Sequence, residues 1–227
     1  MCYSATASFV AGVSLTAIGG LTIASTKHRS ELPFAAIPLL FGIQQLVEGV
    51  IWLTFHYDAP ALKLAMTYVY SGFSHVLWPM YIPLAIYCLE TTPWRKRAML
   101  AFGVVGIAVG SYLLYFLIAG PVVAAAINQH IVYESPHFNV GPVMVAYVVA
   151  TCFSEIVSSH TFVRLFGLLA FLSVVAAYFA YTQALVSVWC FFAALLSVLI
   201  FVHLKYRGLG GFPSSGTSPQ ASLLKSV

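Results

Sequence analysis

The chain has 227 residues, of which 61% are hydrophobic and only 7% are Asp, Glu, Lys or Arg. Soluble proteins carry about a quarter charged residues, so this composition excludes an ordinary soluble domain and predicts an integral membrane protein. The formal net charge of +4 comes from basic residues at the ends of apolar segments. We therefore expect the lipid bilayer, and not a nucleic acid, to be the main partner of the chain.

Seven apolar segments are long enough to cross a hydrocarbon core, which takes about 20 helical residues. We predict an all-α bundle of seven transmembrane helices over residues 1–207, in a multi-pass protein of the cell inner (plasma) membrane. The predicted spans are Ser4–Ser25, Pro33–Phe55, Ala61–Leu89, Ala98–Ala119, Pro142–Ser159, Phe162–Thr182 and Leu185–Leu204. Within the third span, Pro79 is expected to free the carbonyl of His75 and to bend the helix.

The positions of Lys and Arg predict the orientation, because these residues accumulate in cytoplasmic loops. Basic residues follow the first, third, fifth and seventh spans, all on one side: Lys27, Arg29, Arg95, Lys96, Arg97, Arg164, Lys205 and Arg207. Lys63 alone falls on the opposite side. The N-terminus is therefore expected outside and the C-terminus in the cytoplasm, with residues 208–227, rich in Gly, Ser and Pro, as a disordered tail.

The longest predicted outer connection, residues 120–141, carries polar side chains among short apolar runs: Asn128, His130, Glu134, His137 and Asn139. Long loops without secondary structure are often functional. A cap or binding loop is one interpretation, and a solvated loop is the other.

Two acidic residues, Glu48 and Glu155, fall inside predicted spans. A charged side chain at the bilayer centre costs roughly 3 kcal/mol on insertion scales, so such residues mark functional sites by default. A tight turn joins the second and third spans, so Glu48 and His75 are expected to approach each other in the outer half of the membrane. Helical spacing of three or four residues places further polar and aromatic side chains beside these two: Gln44, Gln45, Trp52 and Ser71.

The predicted topology also brings Cys2 and Cys190 to the outer half of the membrane. Thiolate, imidazole and carboxylate groups together bind zinc, copper or iron. We therefore hypothesise a transition-metal site whose ligands are Cys2, Glu48, His75 and Cys190. The surrounding groups that position ligands or water would be Ser4, Gln44, Gln45, Ser71 and Trp52. Such a site supports either a hydrolytic or a redox membrane enzyme, and the residues do not choose between them.

Other interpretations stay open at this stage. Glu48 and His75 are also explained as neutral groups that hydrogen-bond between helices, in an accessory subunit of a membrane complex or in a homo-oligomer. Cys2 and Cys190 would form a disulfide in an oxidising compartment. A proton-coupled transporter is a further alternative, in which Glu155 and His160 supply a proton path towards Glu48 and His75.

The opening MCYSATASF and the later ELPFAAIPLLFGIQQLVEGVIW resemble an uncharacterised family of prokaryotic integral membrane proteins. Members of that family begin Met-Cys-Phe-Ser-Ala and carry Gln-Gln-x-x-Glu-Gly-x-x-Trp in the second span; this chain has Tyr3 in place of the Phe. The resemblance brings no activity with it. It implies that the following residues belong to the family pattern: Cys2, Ser4, Gln45, Glu48, Trp52, His75 and Cys190.

Overall fold

The computed structural model describes residues 4–127, 130–134, 140–180 and 184–206, and these form helices and one β-hairpin. The α-helices are α1 (Ala5–Ala24), α2 (Leu32–Ala35), α3 (Ile37–Thr54), α4 (Pro60–Ser71), α5 (Trp78–Leu89), α6 (Pro93–Ala119), α7 (Val140–Val148), α8 (Ser154–Ile156), α9 (Thr161–Ala180) and α10 (Leu185–Tyr206). A short 3-10 helix, Arg29–Glu31, precedes α2. Two π-helical segments, π1 (Gly72–Leu77) and π2 (Val149–Phe153), interrupt longer helices.

Six helices in the described part of the chain are long and apolar enough to cross a membrane: Ala5–Ala24, Arg29–Thr54, Pro60–Leu89, Pro93–Ala119, Thr161–Ala180 and Leu185–Lys205. This agrees with the prediction of a multi-pass membrane protein. The fifth predicted span corresponds to a shorter apolar helix, Gly141–Ile156. The predicted tail, residues 208–227, lies outside the described residues.

Helices α1 and α3 pack closely because four glycines, two on each helix, face larger residues of the other helix. The contacts form four levels along the pair: Phe9 with Gly49, Gly12 with Leu46, Thr16 with Gly42, and Gly19 with Leu39. A Cβ atom added at Gly19 would lie 2.5 Å from the Cα atom of Leu39. Small residues are typical of helix contacts in membranes, where backbones gain dispersion energy by close approach. This packing fixes the position of α3, the helix that carries Glu48.

The third long helix changes its hydrogen-bond pattern at π1. In a π-helix the donor lies five residues after the acceptor, and the residue five after Ser74 is Pro79, which has no N–H. The hydroxyl of Tyr147, on α7, donates to the Ser74 carbonyl at 2.6 Å. The sequence predicted that Pro79 frees the carbonyl of His75; the carbonyl that receives the Tyr147 hydroxyl is that of Ser74, one residue earlier.

Helix α6 approaches α5 at a point where a second proline weakens the backbone pairing. Pro83 has no N–H for the carbonyl of Pro79, four residues earlier. Gly106 of α6 lies against that carbonyl so closely that an added Cβ atom would overlap it. The glycine is therefore required by the distance between the two backbones.

The predicted connection over residues 120–141 is not a simple solvated loop, because it contains a β-hairpin. Strand β1 (Val123–Ile127) pairs antiparallel with β2 (His130–Glu134). Ala124 and Ile131 are buried in a cluster with Ile51, Trp52 and Tyr70, and the ring of Tyr133 stacks on that of Tyr70 at 4.4 Å. The hairpin therefore covers the end of the bundle where α3 ends and α4 begins. We call this the hairpin end, and the opposite end, where α5 ends, the Glu90 end.

Candidate polar site in the bundle interior

Glu48 lies at the centre of a buried polar cluster in the half of the bundle nearer the hairpin. Its side chain is fully buried. The hydroxyl of Ser187, on α10, donates to Oε1 at 2.8 Å, and the amide of Gln45 donates to Oε2 at 3.2 Å. The carboxyl group therefore connects α3 to α10. Ser187 was not predicted from the sequence, although it lies three residues before Cys190 on the same helix face.

Gln44 connects α3 to the third long helix. The indole N–H of Trp78 donates to Oε1 of Gln44 at 2.7 Å, and the Trp78 ring stacks on Phe41 at 3.9 Å. Because only an oxygen can accept this bond, the contact fixes the orientation of the Gln44 amide. The Nε2 atom of Gln44 consequently points away from Trp78 and needs another partner.

Several polar atoms of α3 and α4 are buried and have no hydrogen-bond partner among the described residues: Gln44 Nε2, Gln45 Oε1, Trp52 Nε1 and Ser71 Oγ. The Gln44 amide lies beside the Cys190 thiol, but sulfur is a weak acceptor and hydrogen-bond geometry is not reached. A buried polar group left unpaired costs about 1–3 kcal/mol. The set contains both donors and acceptors, which is the chemistry of a site that holds water or a polar ligand.

Cys190 is a buried free thiol next to this cluster. It lies close to the side chains of Gln44, Glu48 and Tyr70. Cys2 itself lies outside the described residues.

His75 lies in π1, near the middle of the third long helix. Its Nδ1 atom is 2.7 Å from the hydroxyl of Ser74 and 3.2 Å from the carbonyl of Ser71. A carbonyl only accepts, so a hydrogen bond to Ser71 places the proton on Nδ1, whereas a hydrogen bond donated by the Ser74 hydroxyl places it on Nε2. His75 and Cys190 line the same small cavity. Cys190 is therefore a neighbour of Glu48 and also lines the cavity that His75 lines.

The described residues contain no group of three or more His, Cys, Asp or Glu side chains arranged to hold a metal ion. Glu48, His75 and Cys190 are all described, so the structure does not bring these three predicted ligands together as a metal site. Ser4, predicted to position a ligand or water, is exposed and caps α1 by accepting the N–H of Ala7 at 3.3 Å.

The structure places Glu155 and His160 in different surroundings. Glu155 is buried and lines an interior cavity together with Thr151 and Cys190. The Nε2 atom of His160 instead lies 3.2 Å from the carbonyl of Leu89, at the Glu90 end. His160 is not among the residues that line the described cavities.

Glu90 is a buried carboxylate that connects the end of α5 to the segment before α9. The backbone N–H groups of Thr91 and Thr92 donate to Oε1, and the N–H of Ser159 and the hydroxyl of Ser158 donate to Oε2. Burial opposes ionisation, but the hydrogen bonds from Ser159 and Thr92 outweigh it and lower the pKa of Glu90 to about 2. Glu90 therefore stabilises the connection as an anion at neutral pH.

Comparison with known proteins identifies a family. No curated protein and no solved structure matches the chain. The model of a family of unknown function (DUF6629) matches residues 1–212, which include every element described above. The chain therefore belongs to the family of unknown function DUF6629.

Proposed function

We propose that this protein binds a cation at a site built on Glu48, in the half of the membrane bundle nearer the hairpin. The observation that carries the proposal is a fully buried carboxyl group beside a buried free thiol, with amide atoms of Gln44 and Gln45 left unsatisfied around it. Burying these polar groups in a membrane interior would destabilise the folded protein if no ligand or water paired with them.

The cation we propose is a transition metal ion: zinc, copper or iron. Glu48 would supply oxygen, Cys190 sulfur and His75 the Nε2 atom, a set that suits borderline or soft ions. Glu48, His75 and Cys190 are not arranged around a common point in this structure, so the proposal requires that a metal ion, with Cys2 as the fourth ligand, draws them together. Gln44, Gln45, Ser71 and Trp52 would hold the ligands or a water molecule in position.

The chemistry of the site follows from which element it holds. With one coordination position open, zinc would activate water for hydrolysis, whereas copper or iron would exchange electrons. We propose seven membrane crossings, with the N-terminus and the hairpin outside an inner (plasma) membrane. The Lys and Arg residues that follow alternate spans support this orientation. The site would then open towards the outer face.

Cobalt(II) is a suitable probe of the proposed site, because it takes zinc-like coordination and its absorption spectrum reports sulfur ligands. Titration of the purified protein should produce a sulfur-to-cobalt charge-transfer band. Cys190→Ser and Cys2→Ser should each weaken that band, the double variant should remove it, and Glu48→Gln should weaken cobalt binding. Glu134→Gln is the matched control, since it makes the same chemical change at an exposed carboxyl group and should leave the spectrum unchanged.

A second function is favoured by the hydrogen bonds that join the helices, Ser187 to Glu48 and Trp78 to Gln44. These bonds would serve equally in an accessory subunit, where the polar cluster only holds the bundle together. A wild-type protein without any cobalt band would reject the metal site and support this role. Glu48→Gln would then lower stability without changing activity of the complex from which the protein co-purifies.

A further inference from the structure

An open groove of about 350 Å³ runs along the third long helix, on the side where that helix packs against α6. It begins at Gly72, ends at Leu84 and is bordered on the α6 side by Leu114. The side chains of Leu84 and Leu114 are 54% and 41% exposed. The groove therefore opens to the outside of the bundle, which in a membrane is the lipid.

The side chains that line the groove offer no hydrogen bond to an occupant. Tyr81 is the one lining residue whose side chain has a polar atom, and its hydroxyl donates to the carbonyl of Pro33 at 2.8 Å. Gly72 leaves one end of the groove open, since an added Cβ atom there would meet nothing within 4 Å. The occupant that suits such walls is a hydrocarbon, which gains dispersion contacts and needs no polar partner.

The dimensions of the groove favour an acyl chain over a helix. The axial distance from Gly72 to Leu84 is about 18 Å at 1.5 Å per residue. One leaflet of a bilayer has a hydrocarbon depth of about 15 Å, half of the core, so a single lipid chain spans a similar length. A transmembrane helix is about 10–12 Å across and would cover the groove without entering it.

Basic side chains lie beyond the end of the groove that is nearer Glu90. Tyr87 follows Leu84 by three residues, about one helical turn, and the Nζ atom of Lys96 lies 4.6 Å from the centre of the Tyr87 ring. The guanidinium carbon of Arg95 lies 5.0 Å from the centre of the Trp94 ring. Lys96 belongs to α6 and Tyr87 to α5, so this contact joins the same two helices that border the groove.

The positive charge at this end is not neutralised by Glu90, the acidic residue nearest in sequence. The Glu90 carboxylate is only 2% exposed and accepts hydrogen bonds from the backbone N–H groups of Thr91, Thr92 and Ser159. Arg97, which is exposed, adds a third basic side chain. This end of the groove is therefore suited to an anion at the membrane surface.

We infer that the groove and the basic residues beyond it form a binding site for one anionic phospholipid. One acyl chain would occupy the groove, with its methyl end near Gly72, and the phosphate would lie at Lys96 and Arg95. The aromatic rings beneath the two cations hold them at the level of the headgroups. The lipid site shares no residue with the cation site proposed at Glu48 and does not depend on it.

Native mass spectrometry of the purified protein tests the headgroup part of the site. The probes are phosphatidylglycerol and phosphatidylcholine with the same 16-carbon chains. Wild-type protein should bind one phosphatidylglycerol with several-fold preference over phosphatidylcholine, and Lys96→Gln should lower that preference about fivefold. Lys63→Gln is the matched control, because Lys63 also lies over an aromatic ring, that of Phe55 at 4.5 Å, but at the hairpin end.

Filling the groove tests the acyl-chain part. Gly72→Leu places a side chain in the groove without a clash and should weaken the binding of both lipids. Gly103→Leu is the matched control, since an added Cβ atom at Gly103 also meets nothing within 4 Å and this residue does not line the groove. Circular dichroism establishes that each variant is folded.

Photocrosslinking of the wild-type protein gives a readout that needs no variant. A phosphatidylglycerol with a diazirine at the methyl end of its chain should label residues near Gly72, and one with the diazirine near the carboxyl end should label residues near Leu84. Labels spread evenly over the membrane-spanning helices would overturn the proposal. So would equal wild-type affinity for the two lipids, or unchanged lipid binding in folded Gly72→Leu. If that variant instead converted a dimer into a monomer and kept its lipid binding, the groove would be an interface between copies, and the lipid site would be rejected.

Discussion

The close packing of α1 on α3 predicts different effects on stability when two neighbouring glycines are replaced by alanine. At Gly19, an added methyl group would lie 2.5 Å from the Cα atom and 2.6 Å from the Cβ atom of Leu39. Ordinary carbon contacts are about 3.5–4.0 Å, so the helices must separate by about 1 Å to admit it. At Gly20, an added Cβ atom meets no other atom within 4 Å.

Overpacking of this kind typically costs about 1–3 kcal/mol. Replacement of a helical glycine by alanine also gains up to about 1 kcal/mol of helix propensity, and this gain is common to both positions. Gly20→Ala should therefore be neutral or stabilising. Gly19→Ala should have a free energy of unfolding roughly 1–3 kcal/mol below that of Gly20→Ala.

Unfolding of the purified protein by SDS in mixed micelles, followed by circular dichroism, measures this difference. Wild type, Gly19→Ala and Gly20→Ala should be compared at the same protein and lipid concentrations. If Gly19→Ala proved as stable as Gly20→Ala, the close contact between α1 and α3 would be refuted.

Three further predictions use the same unfolding measurement. Tyr147→Phe removes the hydroxyl that bonds to a free carbonyl in π1, and should lower the free energy of unfolding by about 0.6 and at most about 1.7 kcal/mol; no change would contradict that bond. Gly106→Ala should destabilise by roughly 1–3 kcal/mol through its overlap with a proline carbonyl of α5, whereas Gly103→Ala, which meets nothing within 4 Å, should not. The pKa of Glu90 is lowered from 4.5 to about 2, so its contribution should be present above pH 4.5 and be lost as the pH falls towards 2. Glu90→Gln should remove that acid dependence and cost roughly 1.5–3 kcal/mol at neutral pH; an identical acid profile in wild type and variant would contradict it.

The membrane-spanning helices were predictable because lipid leaves the backbone little choice. Every buried N–H and C=O group must be paired within the segment, so an apolar stretch of sufficient length forms a helix. Prolines indicated where two of the helices begin, since α4 starts at Pro60 and α6 at Pro93. The N–H group of the first helical residue has no partner within the helix, so its absence in proline costs no hydrogen bond. The prediction was least informative for Gly141–Ile156, whose helix is short and contains a π segment.

The contacts within the polar cluster were harder to predict, because hydropathy does not specify how neighbouring helices align. Ser187 is 139 residues from Glu48 in sequence, and Tyr147 is 73 residues from Ser74. Such pairs depend on the rotation and depth of each helix. The spacing of three residues between Ser187 and Cys190 was the one sequence signal that could have placed Ser187 beside Glu48.

The hairpin and the π segments were missed for different reasons. Strand Val123–Ile127 has three successive alanines, which have low strand propensity, and it is held by tertiary packing near Tyr70. A π turn has no characteristic hydropathy pattern. The proline at position 79 indicated a disturbed helix, but not which carbonyl it would leave unpaired.

The metal content of protein purified without chelator tests the cation site at Glu48 most directly. Elemental analysis should find close to one zinc, copper or iron per wild-type chain, much less in Glu48→Gln and Cys190→Ser, and an unchanged amount in Glu134→Gln. The element found would then separate hydrolytic from redox chemistry. Wild-type protein without metal, or a metal content that Glu48→Gln leaves unchanged, would contradict the proposed site.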